Sequence, residues 1–468
     1  MGMRVLFASA EVAPYSKAGG LGDVAGSLPR ALVDLGHELL VVTPWYARLG
    51  AAARPLWIGD VDVPFAGDGV RVGVGTLEEG GVRFAFVGHP SLSRDRLYGY
   101  ADDAWRFALF ARAVPEVARR VGFRPDVVHA NDWHTGHLPV VLARGWHLPE
   151  GFWHLPSVFT IHNAQHQGVS DLAETLYWLR LPAELAGSFA NHYGRYNALK
   201  AGAGFASRVT TVSPTYAQEL TRPEYGYGLD GAFRSLEGRL VGILNGLDVE
   251  YWNPATDPYL PAPYDARRPN DKAASQVALR ERFGLETGLP VLASVSRLVE
   301  QKGIDLLVAA GPRLVNAGWG IVILGTGEPA VEAAALSLAA DNPGRVGVHI
   351  GYDEDLAHLV YAGADAFAMP SRFEPCGLSQ MIAMRYGTIP IVRATGGLLD
   401  TVEHGRTGFL FEHATADGIV WAAARALDVG PGTDRWRALQ LDAMRQDNSW
   451  RRSARRYEAL YRAARSAP

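Results

Sequence analysis

The chain has 468 residues, 48% of them hydrophobic and 20% charged, with a formal net charge of −4. That length exceeds what one hydrophobic core supports, and it predicts two or three domains of ordinary globular composition. The balanced charge offers no basic field for nucleic acid or an anionic membrane, and the single cysteine excludes an internal disulfide framework and suits a reducing cytoplasm. The apolar run from Val5 to Ala10 stops at Glu11, too short for a signal-peptide core, and no later run approaches the roughly 18 apolar residues of a membrane span.

In chain order, Arg4 to Ser9 predicts a buried first strand, followed by Lys17-Ala-Gly-Gly-Leu-Gly-Asp23 and a helix that stops at Gly36. Glycines between a strand and a helix N-terminus let backbone N–H groups approach an anion. The spacing is not that of a dinucleotide fingerprint, and no acidic residue closes a ribose site after the next strand, Glu38 to Thr43. Alternation in Val70, Val72, Val74 and in Val82, Phe84, Phe86 across Glu79-Gly-Gly81 predicts a hairpin decorating the sheet, and Asp60-Val-Asp62 falls on the solvent face of such a strand. A helix from about Asp102 to Arg120 carries Pro115, which is expected to kink it.

Next come the strand Asp126 to Ala130, ending in Asn131-Asp-Trp-His134, and the strand Ser157 to Ile161, ending in His162-Asn163. Seven of the 14 histidines lie between His129 and His166, so a metal site has to be weighed. His162 and His166 have the outer spacing of a zinc-protease helix but lack its glutamate and follow a strand, so polar residues at successive strand ends point instead to a sugar or nucleotide crevice. After a helix carrying Lys200 and a strand from Arg208, Val241 to Asp248 ends the first half; Val249 to Pro269, with five prolines, reads as the domain connection.

The second half restarts the alternation. The strand Pro290 to Ser296 exits into Arg297…Lys302-Gly303, and strands follow at Ile321, Val346, Ala364 and Thr388. Arg372-Phe-Glu-Pro-Cys-Gly-Leu378 follows the strand at Ala364, and Thr395-Gly-Gly-Leu-Leu-Asp400 follows the strand at Thr388. Gly396-Gly-Leu-x-Asp400 echoes Gly19-Gly-Leu-x-Asp23, one such loop in each half, as expected of two doubly wound domains whose crevices enclose a ligand between them. The tail from Asn448 is an amphipathic helix, with Trp450, Tyr457, Leu460 and Tyr461 at helical spacing.

Only Lys17, Lys200, Lys272 and Lys302 are lysines among 45 cationic side chains, and two of the four lie in glycine-flanked loops. Lysine is a point charge that arginine does not replace at a tight phosphate contact. Arg297, Lys302 and the backbone donors of Thr395 to Leu398 suit a diphosphate. Glu374 beside them suits sugar hydroxyls and positive charge at an anomeric carbon.

Lys17-Ala-Gly-Gly-Leu-Gly-Asp-Val24, Asn131-Asp-Trp-His134, Thr160-Ile-His-Asn163, Asn245-Gly-Leu-Asp248, Gln301-Lys-Gly303, Glu374-Pro-Cys-Gly-Leu378 and Thr395-Gly-Gly-Leu398 together resemble the bacterial glycogen synthase and plant starch synthase family, in order from about residue 4 to 461. The resemblance implies an α/β fold of the GT-B type: Rossmann-like domains over 1–245 and 246–448 facing across a deep cleft, and a terminal helix over 449–468 crossing back to the first. It implies a retaining hexosyltransferase that moves glucose from ADP-glucose to an α-1,4-glucan with no metal and no cofactor. By the same resemblance, Glu374, His162, Lys302 and Arg297 are the catalytic set. Lys17, Gly20, Asp23, Tyr98, Asp132, Trp133, His134, Asn163, Asn245, Cys376, Gly377, Thr395, Gly396 and Gly397 are the substrate-binding set. Ile382 stands where wider GT-B relatives carry a ribose-binding glutamate, a departure this branch shares, so the ribose contact is left open. Four alternatives remain: UDP-glucose as donor, a non-catalytic glucan-binding protein, a phosphorolytic enzyme with pyridoxal phosphate on a lysine, and a dinucleotide oxidoreductase.

Overall fold

Apolar runs bounded by glycine and proline become strands buried within helix layers, as a parallel sheet requires. The computed structural model describes residues 2–47 and 54–466. Met1, Ala467 and Pro468, which the domain limits above include, lie outside the described residues, as do residues 48–53. The chain divides into two units, Met1–Gly246 with Trp450–Pro468, and Leu247–Ser449.

The first unit contains β1 (Arg4–Ala8), β2 (Glu38–Pro44), β3 (Leu56–Val63), β4 (Val70–Glu79), β5 (Val82–Gly88), β6 (Val127–Asn131), β7 (Ser157–Ile161), β8 (Val169–Asp171), β9 (Asn191–His192), β10 (Arg195–Asn197), β11 (Arg208–Thr211) and β12 (Leu240–Gly242). Its large sheet runs β12-β11-β7-β6-β1-β2-β5-β4-β3. All pairs from β12 to β5 are parallel, and β4 and β3 extend the edge antiparallel, which is the expected hairpin decoration. Asp60 and Asp62 face solvent on β3, with Asp62 paired to Arg71. The helix Asp103–Arg120 includes Pro115. A separate sheet of β8, β10 and β9 has no counterpart in the sequence reading.

The terminal helix Trp450–Arg465 belongs to this unit's core. Trp450, Ala454, Tyr457, Leu460 and Tyr461 are buried with Val5, Phe7, Val24, Leu28 and Ile243. Each large apolar side chain so buried contributes about 1.5–3 kcal/mol. His129 on β6 is held from both sides, by the Tyr461 hydroxyl at 2.8 Å and the Thr160 hydroxyl at 2.7 Å.

The second unit has one parallel sheet built from β13 (Val291–Val295), β14 (Gly320–Gly325), β15 (Val346–Ile350), β16 (Ala366–Met369), β17 (Ile389–Arg393) and β18 (Phe409–Phe411), in the order β15-β14-β13-β16-β17-β18. The proline-rich stretch after Asp248 packs into this unit as well as leading to it. The Tyr264 hydroxyl donates to the Tyr386 carbonyl at 2.9 Å, and the buried Asp257 carboxylate meets His358 at 2.6 Å and accepts from Tyr386 at 2.5 Å. Each large sheet reverses its winding at one place, between β1 and β6 in the first unit and between β13 and β16 in the second. Exit loops diverge at such a switch point and leave a crevice at the carboxyl ends of the strands.

Candidate active site

The β1 exit loop is shaped by a carboxylate that the sequence reading noted only as the end of an apolar run. Glu11 is 4% exposed. Its Oε2 accepts the backbone N–H groups of Ala18 at 2.6 Å and Gly19 at 2.9 Å, and its Oε1 accepts the Tyr98 hydroxyl at 2.6 Å. Two amides and a phenol thus fix the loop from below, and Lys17 is left half exposed, paired with Asp23 at 2.7 Å. A Cβ at Gly19 or Gly20 would meet no atom within 4 Å, so this glycine pair borders open space at the start of the helix Gly20–Asp34. Burial and the neighbouring Glu11 hold the Tyr98 phenol well above its usual range, so it remains a donor. Its ring stacks on His134, with centroids 4.7 Å apart and an interplanar angle of 25°.

The β6 and β7 exits interlock. Asp132 lies in the left-handed region at φ 55°, uncommon for a residue with a side chain. Its Oδ1 thereby accepts the N–H groups of His162 at 2.7 Å and, more weakly, Asn163 at 3.4 Å. Burial pushes the Asp132 carboxyl up to about 7, against the two amide bonds that lower it. Asn131 donates through Nδ2 to the Ala8 carbonyl at 3.0 Å, so the oxygen that meets His162 Nε2 at 3.0 Å is an acceptor. That bond places the His162 proton on Nε2 and leaves Nδ1 as the acceptor. Burial lowers the imidazole to about 3, so it is neutral at any ordinary pH. Trp133 is half-buried beside His134, and Asn245, at 8% exposure, is buried beyond β12. Among the described residues no group of three or more His, Cys, Asp or Glu side chains is placed to hold a metal ion.

In the second unit the exits of β13 and β16 are laced together. Arg372 N donates to the Gln301 carbonyl at 2.8 Å, and its guanidinium grips Asp305 through two bonds at 2.8 and 2.7 Å. Gly303 has φ 67°, and a Cβ there would lie 2.1 Å from the Pro370 carbonyl oxygen. Only glycine allows that approach, and it brings Lys302 Nζ to 2.7 Å from Glu374 Oε2. Ser371 donates to the same oxygen at 3.1 Å. Glu374 is 6% exposed, while Arg297 is exposed and donates to Gln301 at 3.2 Å.

The second glycine pair differs from the first. A Cβ at Gly396, φ 44°, would sit 2.0 Å from the Glu374 carbonyl oxygen, and one at Gly397 would sit 2.2 Å from that of Cys376. Gly397 N–H donates to the Glu374 carbonyl at 3.1 Å. These glycines support the backbone on which Glu374 is mounted, and Thr395, Gly396 and Gly397 are all buried. Cys376 is a buried thiol in the same packed layer, and Gly377, at φ 75°, leads into the helix Ser379–Arg385. Tyr352, 81% exposed on the β15 exit loop at the same end of the sheet, is a residue the sequence reading did not name. An aromatic side chain directly after a strand and glycine was its only sequence signal.

Residues 4–235 match the starch synthase catalytic domain family, and residues 275–438 match glycosyl transferases group 1. A protein named glycogen synthase from Deinococcus deserti is 49% identical over 98% of this chain and 99% of its own length. One from Thermus thermophilus is 46% identical over 99% and 100%. The solved catalytic domain of starch synthase IV from Arabidopsis thaliana, bound to ADP and acarbose, superposes with a TM-score of 0.90 at 34% identity, covering 100% of both chains. The two parallel α/β units are therefore those of a GT-B hexosyltransferase, and the chain belongs to the bacterial glycogen synthase and plant starch synthase family.

Proposed function

We propose that this protein transfers glucose from ADP-glucose to the non-reducing 4-hydroxyl of an α-1,4-glucan, with retention of configuration, in the cytoplasm. The observation that carries the reading is the Lys302–Glu374 pair at the switch point of the second sheet, on loops built to hold it at 2.7 Å. Arg297 and Lys302 bind the donor diphosphate; Lys17, steadied by Asp23, and the open backbone at Gly20 bind donor phosphate. Glu374 and the neutral His162, accepting through Nδ1, hold the glucosyl unit. Trp133, His134 and Tyr98 border the acceptor. No described helix is long and apolar enough to cross a membrane.

In the transfer, the bond from the anomeric carbon to the diphosphate oxygen breaks while the acceptor oxygen bonds to that carbon on the same face. The acceptor's proton passes to the departing phosphate oxygen. Glu374 offsets positive charge on the sugar ring, a role suited to a carboxylate already partnered by an ammonium and a hydroxyl, which blunt its nucleophilicity. Trapping a covalent glucosyl adduct on Glu374 would overturn this course. The two lysines outside the donor loops are engaged by backbone: Lys200 Nζ donates to the Asn191 carbonyl at 2.6 Å, and Lys272 Nζ to the carbonyls of Ala362 at 2.5 Å and Tyr386 at 3.1 Å.

The deciding experiment is glucosyl transfer to glycogen, measured side by side with ADP-glucose and UDP-glucose. Faster transfer from ADP-glucose is expected; faster transfer from UDP-glucose would reassign the donor, and release of neither diphosphate would restore the glucan-binding alternative. Tyr352 offers its ring to the nucleobase. Tyr352→Ala is expected to raise the donor KM by roughly tenfold at nearly constant kcat, in line with stacking worth about 1–3 kcal/mol.

Asp132 supplies a pH test. Its carboxyl is raised on folding from 3.8 to about 7, so between those values the folded chain holds a proton the unfolded chain has lost. This contribution to stability is full below the unfolded pKa and disappears as pH rises through about 7. Asp132→Asn keeps the oxygen acceptor and tolerates positive φ. Wild type is therefore expected to lose melting temperature relative to this variant between about pH 4 and 7 and to hold a constant difference above that, and a constant difference from pH 4 to 7 would refute the assignment.

A further inference from the structure

The small sheet β8-β10-β9 of the first unit serves no step of the transfer. Its strands β9 and β10 form a hairpin whose two-residue turn is Tyr193-Gly194, closed by the pairing of His192 with Arg195. Both turn residues have positive φ, 51° and 81°, the pattern of a type I′ turn. Gly194 meets that demand freely. Tyr193 does not, because a bulky side chain in the left-handed region is rare and strained, and asparagine is a residue this position favours. The tyrosine recovers nothing through burial. At 92% it has the highest exposure of any large hydrophobic side chain among the described residues, and its ring meets that of the adjoining His192 at 4.5 Å. A strained backbone that holds an aromatic ring out in water points to a ligand for that ring.

The position of the sheet says which ligand. β8 starts at Val169, directly after Gly168, where a Cβ would lie 2.2 Å from the Trp133 ring. Val169 pairs with Asn197, and from Asn197 back to the turn the strand rises roughly 10 Å. The hairpin therefore extends away from the tryptophan that borders the acceptor, on the chain segment that leaves β7 through His162 and Asn163. Its solvent face alternates as a half-buried ribbon should: Val169, Asp171 and Arg195 are exposed, while Ser170 and Tyr196 are buried. An exposed aromatic ring with polar side chains beside it suits a sugar, whose C–H face packs on the ring while its hydroxyls reach the polar groups. We propose that Tyr193, with Asp171 and Arg195, binds the α-1,4-glucan acceptor several units away from its reacting end, so that a long chain is held at both Trp133 and the hairpin. The identity of this glucan rests on the transfer reading above; the hairpin itself takes no part in bond making.

The test compares glycogen with maltose, an acceptor too short to reach the hairpin from the reacting end. Co-sedimentation of the full chain with glycogen, no donor present, reads binding alone, and steady-state transfer from ADP-glucose to glycogen or to maltose reads the two acceptors. Tyr193→Asn is expected to weaken glycogen binding and raise the glycogen KM by about tenfold, with kcat and the maltose KM within about twofold of wild type. The same substitution should raise the melting temperature by about 1–3 °C, since asparagine accepts the left-handed turn, so lost binding is not lost fold. Tyr193→Phe keeps the ring and is expected to stay within about twofold of wild type throughout. Glycogen binding by Tyr193→Asn equal to wild type, or a loss in Tyr193→Phe as large as in Tyr193→Asn, would overturn the site. A maltose KM that rises in step with the glycogen KM would overturn its distance from the reacting end. A lower melting temperature in Tyr193→Asn would overturn the strain argument. Wild type that sediments with glycogen through Tyr193, yet transfers from neither ADP-glucose nor UDP-glucose, would fell the transfer reading and leave the hairpin site standing.

Discussion

Glu374→Gln is expected to lower kcat by roughly a thousandfold while donor KM and ADP affinity change little, because the lost interaction is with charge that develops only in the transition state. Glutamine is nearly isosteric and keeps an oxygen to accept from Ser371 and Lys302, so the laced loops remain in place. What disappears is one unit of negative charge in a nearly dry setting, where the screening that weakens surface charges is absent. Steady-state kinetics with fixed glycogen and varied donor, together with ADP titration, separate the two effects. A turnover number within about tenfold of wild type would remove Glu374 from the transition state. An ADP affinity that falls in parallel with kcat would show instead that the substitution had released Lys302 from its position.

The two Gly-Gly-Leu loops are expected to respond oppositely to alanine. At Gly396 a methyl group would be built 2.0 Å from a backbone oxygen and at φ 44°, so the Glu374 loop must shift; a stability loss of about 2–4 kcal/mol with near-complete loss of transfer is expected. At Gly20 the methyl group meets nothing, and the first turn of a helix favours alanine, so stability should hold or rise by about 0.5–1 kcal/mol. There the penalty falls on the ligand, and donor KM should rise with the fold intact. Chemical denaturation midpoints and donor kinetics on both variants read this contrast. Equal destabilisation at both positions would mean that the loops are equivalent after all.

That contrast also shows where the sequence was legible. The strand–loop–helix alternation, the hairpin at the sheet edge and the residues at the strand exits were all readable, because a two-sided sheet needs apolar runs and its crevice needs polar ends. The lysine pattern was informative too: Lys302 places a point charge against one carboxylate, and Lys272 places one among two carbonyls and a hydroxyl. The two glycine loops share a motif, yet Gly19 and Gly20 border open space while Gly396 and Gly397 lie against the backbone of Glu374 and Cys376, a contact that local pattern does not carry. Glu11 was invisible for the same reason. Its task is to receive three donors that the fold delivers from Ala18, Gly19 and Tyr98. The strands β8 to β10, two or three residues each, are too short to show a period.

The terminal helix has a consequence for how the molecule is made. Tyr457, Leu460 and Tyr461 fill the core of the first unit, and Tyr461 anchors His129 beside the strand exit that carries Asp132. These residues leave the ribosome only after the whole second unit. The first unit must therefore wait, incomplete and with apolar surface uncovered, through the synthesis of residues 247–449. Second-unit folding during that interval comes before completion of the first, so the order of maturation inverts the order of the chain.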